Sequence, residues 1–263
     1  METAYKYFFI AGTGRSGTTI LRRSLGLHPE IYYGGKENNI VQDVIGIAQT
    51  NCRQPTRQAS MLVTQPEYDR AFRNLLTQLI WPECDRHKTD VLQAAINPSA
   101  EIMDYLVEIF PNARILGLVR NGIETVASRM KHRSFAHLSF EKQCETWVKS
   151  HGVLQWGKRH PEQFRLLRHE WTYQTEELDR QLSAIFDWLG IGACPEVYQN
   201  FSAKLWHPSQ APIEPSETWS FAKKAQYFKK NSENWQQWSV DQQSVFKEIC
   251  GPMMDDLGYA IRF

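Results

Sequence analysis

The sequence predicts an α/β fold: a single domain, residues 1–263, in which a parallel β-sheet is flanked by helices. Its first segment, Tyr5 to Ala11, is a short aromatic and aliphatic run typical of a buried strand. A glycine-rich turn follows, and from Thr18 onward apolar residues recur at helical spacing. The same order returns where the apolar run Ala113 to Val119 precedes a helical face at Ile123 to Met130. Because strands alternate with helices, we expect the sheet to be parallel.

Further segments extend this order, and two irregular stretches interrupt it. Periodicity predicts helices at Glu67 to Ile80, Ser99 to Phe110, Glu176 to Leu189 and Val240 to Leu257, and a strand at Phe164 to Arg168. The stretches 51–65 and 202–220 are irregular, the second with several prolines and tryptophans, which predicts surface loops. These two loops are candidates to cover a cleft.

The charge balance bears on the partners of the protein. Lysine and arginine number 30 against 29 acidic residues, so the chain is close to neutral. Near-neutrality gives no support for nonspecific binding to nucleic acid or to an anionic membrane. Any anion-binding site is therefore expected to be local.

The cysteine spacing and the N-terminus bear on the cellular compartment. The five cysteines are widely spaced and form no C-x-x-C pair: Cys52, Cys84, Cys144, Cys194 and Cys250. This spacing favours reduced thiols over a zinc or redox centre. Residues 1–10 lack the features of a signal peptide, and no stretch approaches the roughly 20 apolar residues of a membrane span. The sequence thus predicts a soluble, cytoplasmic protein.

The segment from Gly12 to Thr19 carries the most informative motif. Its glycines have the register of a P-loop, G-x-x-x-x-G-K-[ST], and it lies between a strand and a helix as that motif requires. Thr18 stands in place of the P-loop lysine, while a cation appears within the loop at Arg15. The lost lysine argues against ordinary ATP or GTP hydrolysis. Backbone N–H groups from Gly14 to Thr19, together with the helix N-terminus, are expected to bind an anionic terminal group.

Other interpretations of this loop stay open. It could be a structural turn that binds nothing, or the nucleotide loop of a non-catalytic binding module. It could also belong to a P-loop kinase of a small molecule, which would need a lysine and a strand-end carboxylate to hold Mg²⁺. The strand Ala113 to Val119 ends instead in Arg120. A cation at that position favours direct binding of an anion.

Two separated motifs carry a resemblance to a known family. The segment Gly14 to Thr19, G-R-S-G-T-T, differs by one residue from the P-R-S-G-T-T loop of tyrosylprotein sulfotransferases and their bacterial relatives. In these enzymes, which use 3′-phosphoadenosine 5′-phosphosulfate (PAPS), that loop binds the 5′-phosphosulfate. An arginine at a strand end and a serine eight residues later bind the 3′-phosphate, and Arg120 and Ser128 are similar to that pair. Asn121 and Gly122 replace the family's usual residues, so we expect a less firmly capped helix start.

Weaker matches extend the resemblance along the chain. Lys88-Thr89-Asp90, Arg168-His169-Glu170 and Leu257-Gly258-Tyr259 each resemble a family segment, and Lys229, Lys230 and Ser232 fall where relatives contact the nucleotide. Read alone, such residues are more often solvated or paired in the core. The resemblance implies that the nucleotide site includes Gly14, Arg15, Ser16, Gly17, Thr18, Thr19, Arg120, Ser128, Arg168, Lys229, Lys230 and Ser232.

The resemblance also implies a mechanism. Sulfuryl transfer needs cations that neutralise charge on the leaving phosphate, and Arg15 and Lys88 suit that role. The acceptor hydroxyl needs a general base. Glu37 is the candidate because its place in the sequence is nearly that of the catalytic glutamate in the tyrosylprotein branch. Lys36 could instead be the nucleotide contact, with Glu37 on the surface. His132 and His137 are alternative bases.

The same resemblance bears on cofactors and partners. We expect PAPS as donor, 3′-phosphoadenosine 5′-phosphate as product, and activity without a metal, since no His, Cys and Asp cluster at ligand spacing stands out. The acceptor is expected to carry a hydroxyl group, on a metabolite, a glycan or a phenol. The sequence leaves the acceptor's identity and the oligomeric state open.

Overall fold

The computed structural model describes residues 6–33, 40–48, 64–87, 91–96, 100–203, 226 and 233–259. The predicted loops at 51–65 and 202–220 therefore lie almost wholly outside the described residues. Glu37, Lys88, Lys229, Lys230 and Ser232, which the sequence places in the site, also lie outside them, as does Lys36.

The described strands form one five-stranded sheet in the order β2-β3-β1-β4-β5. The strands are β1 (Lys6–Gly12), β2 (Ile31–Tyr32), β3 (Val91–Ile96), β4 (Arg114–Val119) and β5 (Phe164–Arg168). Every neighbouring pair is parallel. The predicted α/β class with a parallel sheet is confirmed.

Helices cover both faces of this sheet. They are α1 (Thr18–Leu25), α2 (Ile40–Ile47), α3 (Gln65–His87), α4 (Ala100–Ile109), α5 (Gly122–Met130), α6 (Phe140–Ser150), α7 (Gly152–Arg159), α8 (Thr175–Leu189), α9 (Pro195–Ala203) and α10 (Val240–Asp256). Among the described residues, none of these helices combines the length and apolarity needed to cross a bilayer.

Alternation along β1 divides the interior into two cores. Tyr7, Phe9 and Ala11 pack into a core on the face that carries α4 to α6 and α10. Phe8 and Ile10 point the other way, into a core built largely with α1, α8 and α9. Because successive side chains of a strand face opposite sides of a sheet, a continuous apolar run is what a strand buried on both faces requires.

The sequence located several elements closely and missed others. The strand at Phe164–Arg168 is found at its predicted bounds, and the predicted helix at Glu67 to Ile80 is longer, spanning Gln65–His87. The strand Val91–Ile96 was not predicted, because VLQAAI is short and holds a glutamine and two alanines, which favour strands weakly. Its pairing with β1 and β2 on either side defines it as a strand.

The strand order creates a switch point between β1 and β4. The chain leaving β1 crosses to β2 on one side, whereas the chain leaving β4 proceeds to β5 on the other. In open parallel sheets, ligands bind in the crevice at the carboxyl ends of two such strands. The loops after Gly12 and after Val119, which carry the two predicted anion motifs, therefore meet at this crevice.

The contact between α7 and the sheet predicts a stability effect. A Cβ placed on Gly157 would lie 2.2 Å from Cδ1 of Phe164, a ring that is 8% exposed. We expect Gly157→Ala to destabilise the protein by about 1–3 kcal/mol through overpacking, measured by urea unfolding. Gly152→Ala on the same helix is the matched control, since a Cβ there meets no atom within 4 Å. Equal stability of both variants would contradict the close packing of Gly157 on Phe164.

Candidate active site

The loop between β1 and α1 is shaped by two residues in left-handed backbone conformations. Arg15 has a φ of +76° and Gly17 a φ of +99°. Gly17 is the N-cap of α1 and brings no side chain to cap the helix, which leaves the start of α1 suited to an anion. Within the loop, the Ser16 hydroxyl donates to the Thr13 carbonyl at 2.7 Å, and the Ser16 N–H donates to the same oxygen at 3.1 Å.

Both inner glycines of the loop lie against aromatic rings. A Cβ on Gly17 would lie 2.3 Å from Cδ2 of His169, and a Cβ on Gly14 would lie 2.6 Å from Cζ of Phe135. A side chain at either position would clash with the neighbouring ring, so glycine is required there for lack of space. The loop is thus held between the turn that follows β5 and the turn that follows α5.

The second predicted motif begins at Arg120, directly after β4. This side chain is 7% exposed and pairs with Glu124 through Nη2 at 2.8 Å and Nε at 3.0 Å. Its Nη1 donates to the backbone oxygen of Arg15 at 3.0 Å. Arg120 therefore braces the first loop as well as ending the second strand.

A reciprocal bond completes the contact between the two loops. Arg15 Nε donates to the Ser128 hydroxyl on α5 at 3.2 Å. The Arg15 backbone thus accepts from Arg120 while the Arg15 side chain donates to Ser128. We call these two hydrogen bonds the loop clasp, and it joins three residues that the sequence assigned to one nucleotide site.

The start of α5 differs from expectation. Asn121 caps this helix, since its Oδ1 accepts from the N–H groups of Ile123 at 2.9 Å and Glu124 at 3.4 Å. The start was expected to be less firmly capped than in the family, but Asn121 caps it through its side chain, and asparagine is among the most favourable N-cap residues. The Asn121 N–H in turn donates to Glu170 Oε1 at 2.8 Å.

The predicted triplet Arg168 to Glu170 lies beside this helix start. Glu170 accepts from the Tyr259 hydroxyl at 2.9 Å. Arg168 donates through Nη2 to the Leu257 carbonyl at 2.5 Å, and its guanidinium lies 5.0 Å from the centre of the Tyr259 ring. In the described structure, these contacts of Arg168 anchor the end of α10 against β5. Its predicted role as a nucleotide contact stays a prediction.

Burial and nearby cations set the protonation of the groups around the clasp. Burial is the largest cause of a raised pKa at Glu124, which the Arg120 charge opposes. Burial, with help from Arg120, holds the pKa of His169 well below its usual value, so this ring is neutral at pH 7. The pKa of His132 is also lowered, first by desolvation and then by the charges of Arg15 and Arg133. The histidines at the site therefore add no positive charge.

The structure brings together part of the predicted site. Gly14, Arg15, Ser16, Gly17, Thr18 and Thr19 form the loop and the first turn of α1, and Arg120 and Ser128 face it from β4 and α5. Sequence reasoning missed Arg129, which is 2% exposed and donates to the Thr13 hydroxyl at 3.0 Å. The available signal was an arginine directly after Ser128 on a helix with several apolar residues.

Comparison with known proteins identifies the family of this chain. Residues 8–196 match the model of the sulfotransferase family, a segment that includes both motifs and well over half of the chain. The chain belongs to the sulfotransferase family. The resemblance inferred from the two motifs is confirmed.

Curated relatives of this chain are protein-tyrosine sulfotransferases. Protein-tyrosine sulfotransferase 2 of Gallus gallus is 29% identical over 139 residues, which cover 52% of this chain and 36% of that protein. Protein-tyrosine sulfotransferase 1 of Homo sapiens is 29% identical over 129 residues, covering 48% of this chain and 34% of that protein. The match thus spans about a third of the length of these relatives. The similarity supports the branch that the loop motif indicated.

Solved structures share the fold of this chain. The sulfotransferase domain from the curacin biosynthetic pathway has a TM-score of 0.62 at 15% identity, covering 98% of this chain and 99% of that one. Mouse sulfotransferase SULT7A1, solved in complex with PAP, has a TM-score of 0.51 at 13% identity, covering 96% of this chain and 86% of that one. At these identities the likeness concerns the fold.

The left-handed backbone of Arg15 predicts an unusual ranking of variants. Arg15→Gly and Arg15→Ala both remove the guanidinium and its bond to Ser128, but only alanine keeps the steric cost of a positive φ. We expect the glycine variant to be more stable than the alanine variant by about 1 kcal/mol. Urea unfolding of both proteins measures this difference. An alanine variant at least as stable as the glycine variant would contradict the conformation.

Proposed function

We propose that this protein is a sulfotransferase that moves the sulfuryl group of PAPS to an acceptor hydroxyl. The observation that carries the proposal is the loop clasp, which joins Arg15 to Arg120 and Ser128 at the switch point of the sheet. Two anion-binding motifs in contact suit a nucleotide with phosphate at its 5′ end and on its ribose. Membership of the sulfotransferase family supports the same donor.

The described residues fit such a donor. The cradle formed by Gly14 and Gly17 is so close to Phe135 and His169 that side chains at either glycine would enter occupied space. Peptide N–H groups at the start of α1 are suited to bind the 5′-phosphosulfate of the donor. Arg120 and Ser128 would hold the ribose phosphate, and Glu124 fixes the Arg120 fork in one orientation. A preorganised guanidinium loses little entropy when it binds a phosphate.

The charge of the site suits transfer of a sulfuryl group. When bound, PAPS supplies an activated sulfuryl group and a phosphate leaving group. Arg15 lies in the loop, where its Nε donates to the Ser128 hydroxyl at 3.2 Å. A fixed cation there stabilises negative charge that grows on a leaving phosphate, without reorganisation at the moment of reaction. We propose that Arg15 has this role, together with Lys88, and that no metal is needed.

The base that accepts the proton of the acceptor hydroxyl is proposed to be Glu37. The hydrogen bonding of His132 does not favour this residue as the base. Nδ1 of His132 accepts from the Ser134 N–H at 3.3 Å, so the neutral ring carries its proton on Nε2. A protonated Nε2 donates a hydrogen bond and does not accept a proton. His137 is exposed, which does not favour a role in a water-excluded site.

The acceptor is proposed to be a hydroxyl group on a phenol, with a tyrosine-containing peptide as the first to test. The curated relatives are protein-tyrosine sulfotransferases, 29% identical over 139 and 129 residues. Sugar and lipid alcohols form the comparison set. Release of sulfated product with only one class of acceptor would define the substrate.

Nucleotide affinity tests the donor. We expect adenosine 3′,5′-bisphosphate to bind more tightly than adenosine 5′-monophosphate by about 10-fold or more, since charged hydrogen bonds to the ribose phosphate contribute about 1.5–3 kcal/mol. Isothermal titration calorimetry measures both. Arg120→Met should remove most of this preference, whereas Arg180→Met, an exposed arginine on α8, should keep it. Equal affinity for the two nucleotides, or tight binding of ATP that requires Mg²⁺, would overturn the assignment.

Turnover tests the base. Glu37→Gln removes the basic carboxylate while keeping its shape, so we expect kcat to fall about 10²-fold or more with nucleotide affinity nearly intact. Transfer of labelled sulfate from PAPS to the acceptor measures kcat. His132→Gln is the comparison variant and should lose much less. Unchanged turnover in the Glu37 variant would remove this residue from the mechanism.

A further inference from the structure

Arg129 lies directly behind the glycine loop, and the proposed mechanism gives it no role. It is on α5, one residue after Ser128, and only 2% of its surface is exposed. Its Nη1 donates to the Thr13 hydroxyl at 3.0 Å. Thr13 is itself 4% exposed, and its carbonyl oxygen holds Ser16 in the loop. Arg129 thus contacts the loop from its buried side, through Thr13.

A second contact ties Arg129 to the same loop. Its guanidinium lies 4.4 Å from the centre of the Phe135 ring. That ring covers Gly14, where a Cβ would approach within 2.6 Å. Arg129 therefore supports the loop on two sides, through Thr13 and through the ring that packs on Gly14. A guanidinium stacked on an aromatic face is also fixed in orientation.

The charge of Arg129 has no carboxylate partner in the described part of the chain. The ion pairs found there involve other residues, and Nε of Arg129 is buried without a hydrogen-bond partner. Burial lowers the pKa of this guanidinium, although it stays protonated at neutral pH. Arg120, by contrast, is buried with Glu124 as its counter-charge. An unpaired buried charge is costly, so an anion that arrives nearby recovers part of that cost.

We infer that Arg129 is a positioning residue for the 5′ end of the donor, where it supplies a fixed positive charge behind the loop and orients Thr13. This inference rests on the proposed function, because the anion that completes the charge balance would be the 5′-phosphosulfate. Arg129 acts through Thr13 and Gly14 and through its field. It contacts neither reacting oxygen, and its effect belongs to the 5′ end of the nucleotide alone.

The variants separate charge from packing. Arg129→Met removes the charge and keeps a long apolar side chain in the same space. Arg129→Lys keeps the charge and loses the planar fork that stacks on Phe135. Arg159→Met is the matched control, since it makes the same substitution at an exposed position on α7. Each protein is titrated with adenosine 3′,5′-bisphosphate and with adenosine 3′-monophosphate, which lacks the 5′ group.

The expected result is a loss confined to the nucleotide with a 5′ phosphate. Arg129→Met should weaken adenosine 3′,5′-bisphosphate about 10- to 100-fold, while the affinity for adenosine 3′-monophosphate stays within about 2-fold of wild type. The lysine variant should recover part of the loss, and Arg159→Met should match wild type for both nucleotides. The melting temperature of ligand-free Arg129→Met should be equal to or above that of wild type, because an uncompensated buried charge is removed.

Different failures have different meanings. If wild type does not distinguish the two nucleotides, the proposed function fails before Arg129 is tested. If wild type prefers the bisphosphate but folded Arg129→Met loses affinity equally for both nucleotides, Arg129 is only structural and the inference is overturned. Should Arg129→Met not fold, Thr13→Val decides, since it removes the hydroxyl that Arg129 holds and leaves the charge in place. A selective loss for the bisphosphate supports the inference, and unchanged affinities overturn it.

Discussion

The site depends on one interaction, the loop clasp between Arg15 and the pair Arg120 and Ser128. Arg15 has a left-handed backbone, a conformation that a side chain normally avoids. The bond from Arg120 to the Arg15 carbonyl and the bond from Arg15 to Ser128 hold it there. The backbone strain is thus compensated by contacts with the neighbouring strand and helix. This compensation allows a cation to stand inside the loop.

The sheet makes this contact possible. Because β1 is paired with β3 on one side and β4 on the other, the loops that follow β1 and β4 are neighbours at the same edge. The apolar alternation of β1 then anchors the edge from both faces, through two separate cores. Glycines by themselves would leave the loop flexible, but His169 packs against Gly17 and Phe135 packs against Gly14. A rigid scaffold beneath a shaped loop is what preorganised binding of an anion requires.

Electrostatics distinguishes the arginines around the loop. Arg120 is neutralised by Glu124, so its guanidinium contributes oriented hydrogen-bond donors more than net positive charge. Arg129 carries charge that no carboxylate of the described residues offsets, and the nearby His169 is neutral because of its burial. A near-neutral protein can therefore present a local positive field at one edge of its sheet. This agrees with the absence of a strongly basic composition.

The sequence by itself determined the elements whose signals are local. Apolar runs predicted β1 and β4, and β5 was also predicted. The register of Gly12 to Thr19, with arginine inside the loop and no lysine at its end, indicated an anion loop of the sulfotransferase kind. The tertiary structure alone decided which residues meet across that loop: Arg15 and Ser128 are 113 positions apart, and Thr13 and Arg129 are 116 apart. It also decided that Glu124 neutralises Arg120 and that Arg129 has no carboxylate partner among the described residues. Local periodicity records which face of an element is apolar, whereas the pairing of buried charges depends on strand order and on packing between distant segments.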